Sequence, residues 1–170
     1  MIAPISLSNV LTVAAAIACL WSIGTQSSGG VVKLWRLAIP PSLAAVIALM
    51  LLAGIIDATI VHDAEWTLGL VLGGIVGRTR GWLMSVASDQ KSRLVRVPRT
   101  IDGLTVGFAL LVVAMTDFAG ALLDDPVIEP QHVAAAAAFC AGYLGLRALG
   151  MTMRAVRAPH VELYDTESAR

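Results

Sequence analysis

Two carboxylates, Asp57 and Asp117, stand in apolar stretches of this chain away from any helix-capping position. An ionisable side chain at membrane depth is a functional candidate by default, because its charge is costly there unless a partner or water compensates it. Both fall toward the same end of their segments, near His62, His132 and Asn9. Such a set would do proton-accepting or cation-binding chemistry. The plainer reading places each carboxylate close enough to the membrane surface to stay solvated or to bond a helix neighbour. Zinc or copper chemistry has little support, since no local His-x-x-x-His or Cys-x-x-Cys spacing is present and Met151-x-Met153 is too short to argue for copper. Nucleophilic and phosphate-handling motifs are likewise missing: there is no G-x-S-x-G, no H-E-x-x-H and no glycine-rich loop leading to a lysine. The sequence predicts no enzyme, no cofactor and no resident metal.

The elements that would position these groups are membrane spans. The chain has 170 residues, 57% hydrophobic and 14% charged, with a mean hydropathy of +0.79. Soluble domains average roughly 25% charged residues. All 12 basic residues lie in three stretches: Lys33 and Arg36; then Arg78, Arg80, Lys91, Arg93, Arg96 and Arg99; then Arg147, Arg154, Arg157 and Arg170. These alternate with stretches that carry no Lys or Arg. Basic residues are retained on the cytoplasmic side, so the pattern predicts five crossings with the N-terminus outside and the C-terminus inside. The expected class is an all-α membrane protein with a small cytoplasmic β-hairpin between helices 3 and 4. Net charge is zero, which gives a nucleic-acid partner no electrostatic support.

The spans are expected at about 7–24, 40–60, 64–83, 103–123 and 131–151, within one integral membrane domain over 1–157. Thr25 to Gly30 would form an inner turn, Pro40-Pro41 would open the second helix, and Asp63 would cap the third. Trp21 and Trp35 would mark the inner interface and Trp66 the outer one. Trp66 to Gly77 gives only about 18 Å of helix against a hydrocarbon core of about 30 Å. The third helix is therefore expected to continue to about Leu83, with Arg78 and Arg80 reaching back to headgroups. Ser88-Asp89-Gln90-Lys91 supplies turn residues, and Arg93 to Val97 alternates with β-branched members, which predicts the hairpin over about 84–98. Thr100 and Asp102 would cap the fourth helix. Arg154 to Arg170 reads as a polar, mobile tail, with 158–170 beyond the membrane domain. Cys19 and Cys140 would lie at different depths and form no disulfide.

Gly69, Gly73, Gly77 and Gly81 recur at every fourth residue and form one bare stripe on the third helix. A stripe without side chains lets another helix approach backbone to backbone. Packing within the chain is the first expectation, with Ala134, Ala138, Gly142 and Gly145 offering a surface on the fifth helix; a second copy or another membrane protein is the other. The six basic residues from Arg78 to Arg99 are expected to mark a retained cytoplasmic loop, and Arg78, Arg80, Arg93 and Arg96 to meet anionic headgroups.

The segment from Gly69 through the Arg-bearing end and the hairpin with Asp89, Arg93-Leu94 and Val97-Pro98, followed directly by another span, resembles small bacterial polytopic membrane proteins of the CcdC-like group. The likeness covers about 69–157. Where that group carries glycine in the hairpin turn and after the proline, this chain has Lys91-Ser92 and Arg99. The resemblance implies a multi-pass protein of the bacterial inner membrane and transfers no catalytic residue. The two functional expectations are a non-enzymatic structural or accessory component of the membrane and, as the alternative, a small proton- or cation-coupled transporter using Asp57 and Asp117.

Overall fold

The computed structural model describes residues 6–55, 60–123, 128–159, 161 and 163. Five helices dominate: α1 (Leu7–Ser27), α2 (Ile39–Ala53), α3 (Ile60–Leu83), α4 (Asp102–Leu123) and α5 (Pro130–Arg157). A short 3-10 helix, Leu34–Ala38, runs directly into α2. Four helical stretches are long and apolar enough to cross a membrane: α1, Leu34–Ala53, α4 and α5. The remaining helix, α3, has 24 residues, including Asp63, Glu65, Arg78 and Arg80.

Helix ends follow local chemistry. Ser6 caps α1, its hydroxyl accepting from the Ser8 amide. Pro40 and Pro41 occupy the first turn of α2, and Pro130 opens α5, where a missing amide proton removes no helical hydrogen bond. The second helix ends at Ala53 rather than near Ile60; Gly54, the poorest helix former short of proline, follows at once. Asp63 does not cap α3: it lies inside the helix, which is described from Ile60, and its negative charge there is favourable to the helix dipole. The far end of α3 falls at Leu83, and α5 continues six residues past its expected end at Met151.

The last helix is the hub. It packs against α2, α3 and α4, while α1 packs against α2 and α4. Ala134, Ala137, Ala138, Ala141 and Gly142 are all buried on α5, so neighbouring helices come in close. Ile47 and Leu110 fill the space between with fully buried side chains. Cys19 and Cys140 lie in this same core cluster; both are free, and the Cys19 thiol donates to the Pro40 carbonyl. Trp66 is half-buried and sends its indole N–H to the Ala48 carbonyl at 3.3 Å, fastening α3 to α2. Trp66→Phe should cost about 0.5–1 kcal/mol of thermal stability in detergent, the usual worth of one such bond.

The expected hairpin forms, as β2 (Ala87–Asp89) and β3 (Leu94–Arg96), and a third strand joins it. That strand, β1 (Val31–Lys33), pairs antiparallel with β3, giving the order β1-β3-β2. Val95 sits at the centre, opposite Val32 on one side and Ser88 on the other. Val32, Leu37, Met84, Val95, Val97, Met151 and Ala155 form a second apolar cluster that seats the sheet on the end of α5. The Asp89 carboxylate accepts from the Lys91 and Ser92 amides and staples the turn. Arg93 takes a positive φ of 53°, the left-handed conformation that glycine would adopt more readily.

Candidate functional site: a charge-linked helix end beneath a basic sheet

The three basic stretches of the chain meet at one end of the bundle. β1 brings Lys33 beside Leu94, and the Gln90 amide donates to the Val156 and Ala158 carbonyls at the end of α5. Arg154 donates to the carbonyls of Trp82, in the last turn of α3, and Met84, just past it. Val161 donates its amide to the Ser88 carbonyl, and Leu163 is buried, so the described part of the expected mobile tail lies against β2.

Beneath the sheet lies a polar cluster that sequence reasoning did not assemble. The Arg147 Nε donates to Asp102 Oδ2 at 3.1 Å, its Nη2 donates to the Thr100 hydroxyl at 3.0 Å, and the Tyr143 hydroxyl donates to the same Asp102 oxygen at 3.0 Å. The Arg147 and Asp102 side chains are only 10% and 14% exposed. Arg80, exposed on α3, approaches Asp102 Oδ2 at 3.6 Å. Asp102 thus opens α4 as expected, but its carboxylate is directed to α5 rather than to capping, because a buried guanidinium nearby needs its charge compensated. Tyr143 and Arg147 are four residues apart on one helix face, and the bare Gly103 of α4 lets the guanidinium pass at close range. The cluster ties α3, α4 and α5 together. One signal for it existed in the sequence: Arg147 falls inside the span expected at 131–151, where a charge calls for a partner.

The glycine stripe of α3 lies against α5. A Cβ added at Gly69, Gly73, Gly77 or Gly81 would come closer than 3.0 Å to the backbone carbonyl of Ala135, Phe139, Tyr143 or Arg147, respectively. Gly142 answers from α5, where a Cβ would strike the Leu70 carbonyl. The glycine stripe thus meets the backbone of 135, 139, 143 and 147, and of the expected surface through Ala134, Ala138, Gly142 and Gly145, Gly142 meets α3. Gly145 faces open space.

The expected ion site is described only in part. Asp57 lies outside the described residues. Asp117 is half-buried in α4, and no hydrogen bond or ion pair reaches it among the described residues. His132 instead approaches Glu65 on α3 and Glu129 at the start of α5, each at 3.4 Å, at the end of the bundle opposite the sheet. His62 is half-buried on the first turn of α3. No cluster of metal-ligating side chains occurs among the described residues. Of the expected headgroup contacts, Arg78, Arg80, Arg93 and Arg96 are all exposed, Arg78 and Arg80 on α3 and the other two at the sheet.

A groove of about 730 Å³ opens beside the sheet, between the 3-10 helix, the start of α2 and one face of α5. Lys33, Ser92 and Arg93 stand at its polar end, and Leu37, Pro41 and Leu149 are among its apolar walls. The chain matches no protein-family model, no curated protein and no solved structure.

Proposed function

We propose that this chain is a non-enzymatic, five-span protein of the bacterial inner membrane, N-terminus outside, acting as a structural or accessory component at the cytoplasmic face. The observation that carries the topology is the convergence of all three basic stretches on one sheet at one end of the bundle, where positive-inside retention would place them. The helix α3 serves as the fifth span: its 24 residues are about 36 Å long, enough for a core of about 30 Å. Arg80 is met by Asp102, which lowers the cost of a charge near the membrane surface. The likeness to CcdC-like proteins is consistent with this setting.

The accessory role rests on how the polar groups are used. Asp102, Tyr143, Arg147 and Thr100 hold helices together, and the glycines of α3 are engaged within the chain, leaving the exposed basic sheet as the surface for headgroups or a partner protein. Single-cysteine labelling tests the topology. Gln90→Cys should react with a membrane-impermeant maleimide only after spheroplasts are lysed, and Gln131→Cys before lysis, with the buried Cys19 and Cys140 silent. Reaction of Gln90→Cys in intact spheroplasts would reverse the orientation.

The carrier reading retains one observation in its favour, the half-buried Asp117 without a bonded partner among the described residues. It predicts that Asp117→Asn and Asp57→Asn each abolish proton- or cation-dependent flux in proteoliposomes while leaving the protein folded. Unchanged flux in both folded variants would end it.

A further inference from the structure

We infer that the groove beside the sheet is a binding site for one anionic glycerophospholipid, its phosphate held by Lys33 and Arg93 and an acyl chain lying along α5. This rests on the five-span topology proposed above, which sets the groove at the cytoplasmic surface of the bilayer. Charge selects the occupant: two cations, Lys33 at the end of β1 and Arg93 in the turn before β3, line the groove together with Ser92, and no acidic side chain among the described residues does. Neither cation is ion-paired within the described residues.

Shape gives the rest. The volume of about 730 Å³ lies within the range of roughly 300–1,000 Å³ typical of small-molecule sites. Leu37, Pro41 and Leu149 give it apolar walls, suited to a hydrocarbon chain and unsuited to a free phosphate. Gly145 forms part of the lining, and the position its side chain would occupy is empty. Trp35, 62% exposed and with the Arg36 guanidinium 5.9 Å from its ring centre, forms a lip of the kind that settles at headgroup level. The β1–β3 pairing and the left-handed turn at Arg93 fix the two cations at one end of the groove.

Native mass spectrometry of the whole protein in mild detergent, with chain-matched phosphatidylglycerol or phosphatidylcholine added, tests this. The wild type should retain phosphatidylglycerol in preference to phosphatidylcholine. Lys33→Gln and Arg93→Asn should each weaken that preference about fivefold, the factor expected for one basic residue near an anionic surface. Asparagine is chosen because it tolerates the left-handed turn. Gly145→Leu should project into the empty groove, leave the melting temperature at or above that of the wild type, and lose both lipids. Equal retention of the two lipids by the wild type overturns the proposal, as does full retention of phosphatidylglycerol by folded Gly145→Leu. Should Gly145→Leu not fold, the two charge variants decide: an undiminished preference in both sinks the site. Labelling of Ser92→Cys from either side of the membrane reports the topology separately, so an inverted protein is distinguishable from one that lacks the site.

Discussion

Gly73→Leu should remove the folded protein from detergent extracts, and Gly73→Ala should already destabilise it by about 3 kcal/mol or more. Overpacking a close-packed interior costs about 1–3 kcal/mol when flexible side chains can yield. At Gly73 the obstacle is the Phe139 backbone, which can move only if the whole of α5 moves. The added methyl group would therefore separate two helices in contact from Gly69–Ala135 to Gly81–Arg147 and weaken every close approach along that seam. Gly145→Ala is the matched control, because it adds the same group on α5 in open space and should cost nothing. Fluorescence-detected size exclusion after a temperature series reads both. A Gly73→Ala protein as heat-resistant as Gly145→Ala would mean that α3 and α5 do not meet as described.

Asp102→Leu and Arg147→Met should each cost about 3–5 kcal/mol, and the two together much less than either. Removing one member of a buried ion pair leaves the other charge desolvated and uncompensated, whereas replacing both by apolar groups of similar volume can be neutral. The Asp102 variant leaves Arg147 with Thr100 as its hydrogen-bond partner; the Arg147 variant leaves Asp102 with the Tyr143 hydroxyl and the more distant, exposed Arg80. The asymmetry predicts that Asp102→Leu is the more damaging. A double-mutant cycle on thermal stability measures the coupling. Additive losses would show that Asp102 and Arg147 act independently, and would remove the cluster from the account of how α4 is held to α5.

Much of the helical layout is legible in the sequence, because a long apolar run flanked by charge leaves few alternatives. Leu7 begins the first helix and Leu83 ends the third where composition and flanking residues place them. The hairpin is legible because Asp89 to Ser92 carries turn chemistry between β-branched neighbours. The third strand is not. Val31, Val32 and Lys33 are too few to show a period, and they acquire strand geometry only from pairing with Leu94 to Arg96, far along the chain. The charge cluster is obscured for the same reason: Asp102 and Arg147 are 45 residues apart, and each has an adequate local explanation, one as a cap and the other as a retained basic residue. His132 approaches Glu65 and Glu129, and only the Glu129 contact, three residues away on the same helix start, is readable from local spacing. Spacing along a helix identifies a face; which element covers that face depends on the order in which helices pack.

That order has a consequence for biogenesis. The last of the five described helices in chain order is the one on which α2, α3 and α4 all pack, and β1 cannot pair until the whole of α2 and α3 has followed it from the ribosome. Until α5 follows, the nascent chain presents a bare glycine face on α3 and an Asp102 that lacks its Arg147 partner. Assembly is therefore held back until α5 is made, when it closes the seam, brings Arg147 to the carboxylate and seats the sheet. A ribosome stalled before α5 would hold a chain whose earlier helices lack their common partner, an intermediate exposed to proteolytic clearance.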